Sequence, residues 1–598
     1  MRTTKRGKFA VIAVGLALVA AACSDDKDPT TTEAPVTTGG GDTTAAPAEG
    51  GTITYAAEQE FYTYNNGTSD GNAFANALVL NPVQPFTFYF DDKAALVMST
   101  DLLDSAELTS TSPETVVYKI KAEAVWSDGV AVDCKDFQLA WISSNGTLTQ
   151  QGSDGTPVTD PDSGTPVLLF NTASTTGYEN IKSVECADGG KTVTATYDKN
   201  FSDWNALFTG LIPAHVVEAK SGVADIAKAY ADKNMADLAK AAEFWNTGFT
   251  ADKGIDPTVM LSAGPFMITS FTPGESVVLE KNPKWWGTPA LADSIVFRLI
   301  DDATQQPIAL QNKEVQVITP QPNPDLLAQL EGVSGAEVKV DGGYTYEHMD
   351  FNFASPLTKQ LPVRQAFALC LPRQEIVDKL IVPVNPSAVV VNNHFYFPFQ
   401  SDYVDNAGDY AKVDIAKAKS TLEADGWALG SDGIYAKGGT RLSMKIARKD
   451  PNPRRASEVQ LTAASCKEAG IEIIDQPNED IFSNILPTGQ YEIALFAWVG
   501  SPLQSSQKAI FTTGGSSNFG QYTNTKLDPY LDQLTTELDP AKLAAAADAA
   551  DKLVWADVAT IPIFQFPDLT ATDGTVSGVI YNPTQAGITW NAQLWSLK

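Results

Sequence analysis

From Thr52 onward the chain alternates two patterns: short runs in which apolar and polar residues trade places every second position, and longer stretches in which apolar residues return about every 3.6 positions. The first pattern predicts strands at 52–55, 116–120, 191–197, 275–281, 293–300, 344–353, 441–447, 471–475, 491–497 and 561–566. The second predicts helices over 133–142, near 304–312, and over 361–381, 413–424, 454–469 and 540–559, with Asp133 placed to cap the first. Residues 224–245 are the most regular helical stretch. The outcome is a mixed α/β protein. No repeat of 20–50 residues is present, which excludes solenoids and propellers.

The first 51 residues follow neither pattern. Arg2, Lys5, Arg6 and Lys8 precede an uncharged run from Phe9 to Ala22, the length of a signal-peptide core and too short to span a bilayer. The run ends Ala20-Ala21-Ala22-Cys23, small residues directly before a cysteine, which resembles a bacterial lipobox. On this reading residues 1–22 are removed and Cys23 becomes a lipidated N-terminus at the outer face of the cytoplasmic membrane; the alternative is an ordinary cleaved signal with a chance cysteine. Residues 28–51 are rich in Thr, Pro, Gly and Ala, so 23–50 is expected to be a flexible tether whose glycosylation the sequence leaves open.

Composition narrows the function. Against 42 Lys and Arg stand 72 Asp and Glu, a formal charge of −30, and no basic cluster lies beyond the first eight residues. Such a surface repels a phosphate backbone, so nucleic-acid binding is disfavoured. With 43% hydrophobic residues over 598 positions there is ample core for more than one packed unit. The four cysteines after Cys23, at 134, 186, 370 and 466, suggest two disulfides in an exported protein. Three connectivities are possible, and proximity favours Cys134–Cys186 and Cys370–Cys466. A metal site is the rival reading, but no CxxC occurs and no histidine lies near any of them. The three histidines, at 215, 348 and 394, form no HExxH, and no GxSxG elbow joins a predicted strand to a predicted helix, so neither an enzyme nor a cofactor or metal protein is indicated.

Several ordered segments carry a resemblance. Trp126-Ser127-Asp128-Gly129 sits between a strand and a helix. Ile181-Lys182-Ser183-Val184 and Leu211-Ile212-Pro213-Ala214-His215 follow. Then come Ser262-Ala263-Gly264-Pro265-Phe266, the stretch from Pro273-Gly274-Glu275 to Asn282-Pro283-Lys284-Trp285-Trp286, Asp350-Phe351-Asn352 with Val363-Arg364-Gln365-Ala366, and Gly520-Gln521-Tyr522-Thr523-Asn524. In this order they resemble the extracellular solute-binding proteins, family 5, the oligopeptide, dipeptide and nickel class that serves ABC importers, over essentially all of 50–598. The resemblance implies a class II clamshell of two lobes and three subdomains: lobe 1 over 51–343 with an inserted subdomain at about 85–195, lobe 2 over 344–560, and a return to lobe 1 over 561–598. It further implies a monomer that encloses a peptide or other small-molecule ligand between the lobes and delivers it to permease subunits.

Peptide-binding relatives carry an aspartate near the lobe 2 tryptophan to hold the ligand's amine; the matching stretch here, residues 495–503, has no acidic residue. A buried ammonium there would lack its counter-charge. That departure keeps two alternatives open: a sugar or oligosaccharide ligand, and a scaffold or regulatory lipoprotein of envelope assembly that transports nothing. The cleft candidates are Gln59, Glu60, Tyr62, Asn65 and Asn66 after the first strand, Asn393 and His394 in a later loop, and Trp498, Gly500 and Ser501. Trp498 could stack on a ligand or pack in a core. Trp285 and Trp286 read as core residues, and His348 as a satisfied histidine within a strand.

Overall fold

The computed structural model describes residues 50–598 except 153, 160–165, 253, 323, 451, 480, 482–484 and 516. The signal segment, Cys23 and nearly all of the tether lie outside the described residues. The framework is a ten-stranded sheet. Its strands are β1 (Thr52–Ala57), β2 (Phe266–Thr272), β3 (Ser276–Lys281), β4 (Ser294–Leu299), β5 (Val317–Ile318), β6 (Glu337–Phe351), β7 (Ser443–Lys449), β8 (Glu472–Asn478), β9 (Ile493–Val499) and β10 (Thr560–Thr572), in the order β8-β7-β9-β6-β10-β5-β1-β4-β3-β2.

The two long strands, β6 and β10, run antiparallel through both lobes. Glu337–Gly342 pairs with Pro567–Thr572; the register then shifts, and Tyr346–Asp350 pairs with Thr560–Gln565. Beyond the shift β6 pairs with β9, while the far end of β10 pairs with β5. Each of the two strands therefore has two halves with different outer neighbours. The resulting architecture is a mixed α/β clamshell. Lobe 1 carries a separate four-stranded antiparallel sheet (Leu103–Thr111, Glu114–Ile120, Thr192–Tyr197, Ile181–Ala187).

Local chemistry explains the Trp-Ser-Asp-Gly segment. Trp126 is fully buried, and its indole N–H donates to Asp136 Oδ2 at 3.2 Å. The same carboxylate accepts from the backbone of Asp133 and, through Oδ1, from Ala214 at 2.8 Å. Asp133 in turn caps the helix Cys134–Ser144. One buried carboxylate thus joins the tryptophan turn, a helix start and the Pro213-Ala214 turn.

Two predicted helices are broken. Residues 224–245 divide into Ile226–Ala231 and Met235–Thr247, because Lys233 adopts φ 55° and Asp225 and Asn234 each cap a new helix start. Periodicity misses the break because both pieces bury the same stripe. Residues 361–381 stop at Cys370, since Pro372 has no N–H to continue the ladder, and resume as Arg373–Ile376 and a wider turn through Ile381. The strand predicted over 344–353 is only the second half of β6, and that over 561–566 is half of β10. Both disulfides form in the favoured pairing, Cys134–Cys186 and Cys370–Cys466.

Buried carboxyls set the pH response. Glu114 is fully buried and accepts from Phe201 N at 2.7 Å; burial pushes its carboxyl up to about 7, and burial likewise raises Asp136 to about 7. The folded state then holds protons that the unfolded chain has already released, so the contribution of these two groups to stability is full at acid pH and is lost as pH rises toward about 7. The urea midpoint is expected to drop between pH 5 and pH 8, and Glu114→Gln, which keeps the acceptor, is expected to flatten that slope.

Candidate functional site

Where β6 and β9 leave the register shift they display alternate side chains on opposite faces of lobe 2. Tyr346, His348 and Asp350 of β6 share one face, directly opposite Trp498, Phe496 and Ala494 of β9. The rings meet. His348 lies 4.3 Å from Phe496 edge-on and stacks on Trp498 at 6.0 Å; Trp498 stacks on Phe519 at 5.9 Å. Nearer the shared strands, Tyr344 stands edge-on to Phe397 and Phe399 at 5.4 and 5.3 Å, and Phe399 is 53% exposed. The aromatic wall therefore runs from solvent at the hinge into lobe 2.

Its polar atoms are the informative part. Trp498 Nε1, both ring nitrogens of His348 and the Tyr491 hydroxyl are buried without a hydrogen-bond partner among the described residues. His348 is buried, yet its nearest charged neighbour, Asp350 Oδ1, stands 3.4 Å from Nε2 without forming a hydrogen bond. His348 is thus not the satisfied histidine that its strand setting predicts. Burial, with the Asp350 charge adding to it, drives the Tyr491 phenol well above its ordinary value. A buried unpaired polar group costs about 1–3 kcal/mol, so four such atoms on one wall mark where a hydrogen-bonding ligand would restore what folding leaves unmade.

The rear face of β6 is built for rigidity. Glu347 is fully buried and takes a hydrogen bond from Arg455 Nε at 3.0 Å and an ion pair from Arg454 at 2.6 Å. Burial alone would raise its carboxyl, but the two guanidinium groups overcome that and hold it below the usual range. Glu458, which also pairs with Arg454, is pushed by burial up to about 8. At the end of β9 the chain turns at Gly500, whose N–H donates to Tyr344 O at 2.9 Å. A Cβ at Gly500 would lie 2.6 Å from that oxygen, so no larger residue fits.

The predicted residues divide. Trp498 belongs to the wall and Gly500 closes its edge; Ser501 accepts from Leu503 N within the turn. Gln59 and Glu60 are exposed just past β1, where Glu60 accepts from Gly274 N at 2.5 Å. Tyr62 is exposed and donates to Asp70 O. Asn65 and Asn66 hold their own loop: Asn65 donates to Trp245 O and accepts from Gly67 N, and Asn66 accepts from Ala73 N. Asn393 and His394 are buried and already engaged. Asn393 spans Val404 O and the amides of Phe395 and Tyr396, while His394 Nδ1 lies 2.6 Å from Asp551 and Nε2 lies 3.2 Å from Thr560 O. Asn65, Asn393 and His394 spend their polar atoms within the fold, and Asn66 accepts through its side-chain oxygen. Trp285 and Trp286 are half-buried at the lobe 1 surface, donating to Thr288 O and Asp101 O.

Sequence reading missed Tyr344, Tyr346, Phe397, Phe399 and Asp350, although alternation in Tyr344-Thr345-Tyr346-Glu347-His348 and Phe395-Tyr396-Phe397 shows them to be surfaces of one sheet and loop. It also missed the hinge carboxyls. Asp341 and Asp568 face each other across β6 and β10, and the Tyr581 hydroxyl bonds to Asp568, which burial raises to about 6. Among the described residues no group of His, Cys, Asp and Glu could hold a metal ion, and no helix is long and apolar enough to cross a membrane.

Comparison with known proteins agrees with this architecture. Residues 98–520 match the model of the bacterial extracellular solute-binding proteins, family 5. The oligopeptide-binding protein OppA of Mycobacterium tuberculosis is 28% identical over 519 residues, covering 85% of this chain and 78% of OppA. An uncharacterized lipoprotein of the same organism is 25% identical over 568 residues, 91% and 93% of the two chains. Among solved structures, the periplasmic EDTA-binding protein EppA superposes with a TM-score of 0.82 at 26% identity, over 92% of this chain and 97% of EppA.

If the Gly500 turn fixes the wall, Gly500→Ala should lower stability by about 1–3 kcal/mol in urea unfolding, because a close-packed backbone contact must be displaced. Ser501→Ala, one residue further on, should leave it nearly unchanged.

Proposed function

The chain belongs to the bacterial extracellular solute-binding proteins, family 5, and on that premise we propose that it captures a peptide or similar polar oligomeric solute between its lobes and delivers it to the permease of an ABC importer. The observation that carries the reading is the aromatic wall with its four buried polar atoms that lack a hydrogen-bond partner among the described residues. Flat rings accept peptide planes and apolar side chains, and the indole N–H, the imidazole and the phenol supply directional bonds. The similarity to OppA supports a peptide, and the many lipoproteins among the relatives support anchoring through Cys23 at the outer face of the cytoplasmic membrane. The protein acts as a monomer, and its role is binding rather than catalysis.

A peptide needs a carboxylate for its amine. With none in 495–503, Asp350 serves: it stands on the wall's own face, beside His348, and is only partly exposed. The absence of an acid at the usual place also favours a second reading, a lipoprotein that keeps the fold as a scaffold in envelope assembly.

Native mass spectrometry of the mature protein purified without denaturation tests the choice. Release of a ladder of peptide masses is expected, and Trp498→Ala should weaken retention about tenfold or more through loss of stacking. A glycan or lipid mass would move the ligand to sugars or envelope precursors. An empty protein that also gives no thermal shift with peptide or oligosaccharide pools would favour the scaffold.

A further inference from the structure

The lobes also touch where no strand crosses between them. After the strand Thr192–Tyr197, lobe 1 presents Ser202 and Asp203 to lobe 2. Ser202 N donates to Thr535 O at 2.8 Å, Ser202 Oγ donates to Leu534 O at 2.8 Å, and Ser505 N donates to Asp203 Oδ2 at 3.2 Å. The two carbonyls lie in the last turn of the helix Asp528–Thr536, where no later amide of that helix can reach them. Ser202 therefore finishes the end of a lobe 2 helix from the other lobe.

The loop that does this is pinned from behind, since Glu114 Oε2 accepts from Phe201 N. Charge is complementary across the seam: Lys508 and Asp532 form an ion pair in lobe 2, with the Lys508 charge felt by Glu179 and the Asp532 charge by Lys199 in lobe 1. Beside these bonds lies a cavity of about 560 Å³ lined by Thr111, Asn200, Thr536, Glu537, Leu538 and Asp539. Three hydrogen bonds, two of them to backbone carbonyls, tie the seam among the described residues, a contact that can be made and broken.

We propose that Ser202 and Asp203 are a latch that holds the clamshell closed. Closing pairs the Leu534 and Thr535 carbonyls with Ser202 and buries the Asp203 carboxylate against Ser505; opening returns these groups to water. Because the bonds belong to the closed form alone, they bias the open–closed equilibrium whatever solute occupies the cleft.

Distance measurement between nitroxides on Glu107→Cys and Lys526→Cys, one exposed site in each lobe, tests this by pulsed electron resonance on the purified protein. The parent should give one dominant distance. Ser202→Ala combined with Asp203→Ala removes the two side-chain bonds and keeps the backbone bond to Thr535 O, and should shift the closed-to-open ratio about tenfold and add a longer distance, as two net hydrogen bonds allow. Asp532→Lys, an exposed change that turns attraction to Lys199 into repulsion, should shift it in the same direction and decides the matter if the double variant does not fold. Distributions that superimpose on the parent's would overturn the latch.

Discussion

The pairing of β6 with β10 is the constraint on which the rest depends, because these two long strands pair along both sides of a register shift and take different outer neighbours, β9 and β5, at their two ends. A continuous antiparallel ladder would make one stiff body. Here the ladder loses register between Gly342 and Tyr346, opposite Gln565 and Pro567, so regular pairing is interrupted where one lobe gives way to the other. Everything with candidate chemistry is placed relative to that break. Asp341 and Asp568 come just before it, and Tyr344, Tyr346, His348 and Asp350 follow it in alternation.

Strand β6 then serves two masters through its two faces. Its rear carries Glu347 into a buried network with Arg454, Arg455 and Glu458, which fixes the strand against the helix Pro453–Glu468. Breaking one member of such a network would leave an uncompensated charge, so the strand has little freedom to drift. Its front carries rings whose polar atoms are left unpaired. A protein selected only for stability would fill or pair that face; a rigid back supporting an unsatisfied front is the arrangement expected of a binding surface that waits for a partner. In the proposed latch, Ser202 and Asp203 add a contact away from the shared strands.

Much of this was legible in the sequence. The short strands and most helices follow from periodicity, the cysteine pairs from proximity, and the fold from the ordered segments around Trp126, Pro213 and Asn282. What periodicity could not show was continuity and interruption. β6 and β10 each read as a half-strand because the register shift and Gly342-Gly343 break the alternation, and the Lys233 break was hidden because apolar spacing persists across it. Of the cleft candidates, Trp498 and Gly500 lie at the aromatic wall. Polar residues such as Asn65, Asn393 and His394 resemble ligand contacts in sequence, but their partners, Trp245, Val404 and Asp551, lie far along the chain. His348 shows the converse: its unpaired nitrogens follow from what surrounds it in space, on which sequence is silent.

The central claim, that the wall on the front face of β6 and β9 is where solute binds, is tested most directly by a crystal structure of the protein purified from its own host with whatever it carries. The account predicts density packed on Trp498 and within hydrogen-bond reach of its indole N–H or of His348. A bound solute lodged elsewhere, with Trp498, His348 and Tyr491 still unpartnered, would contradict it.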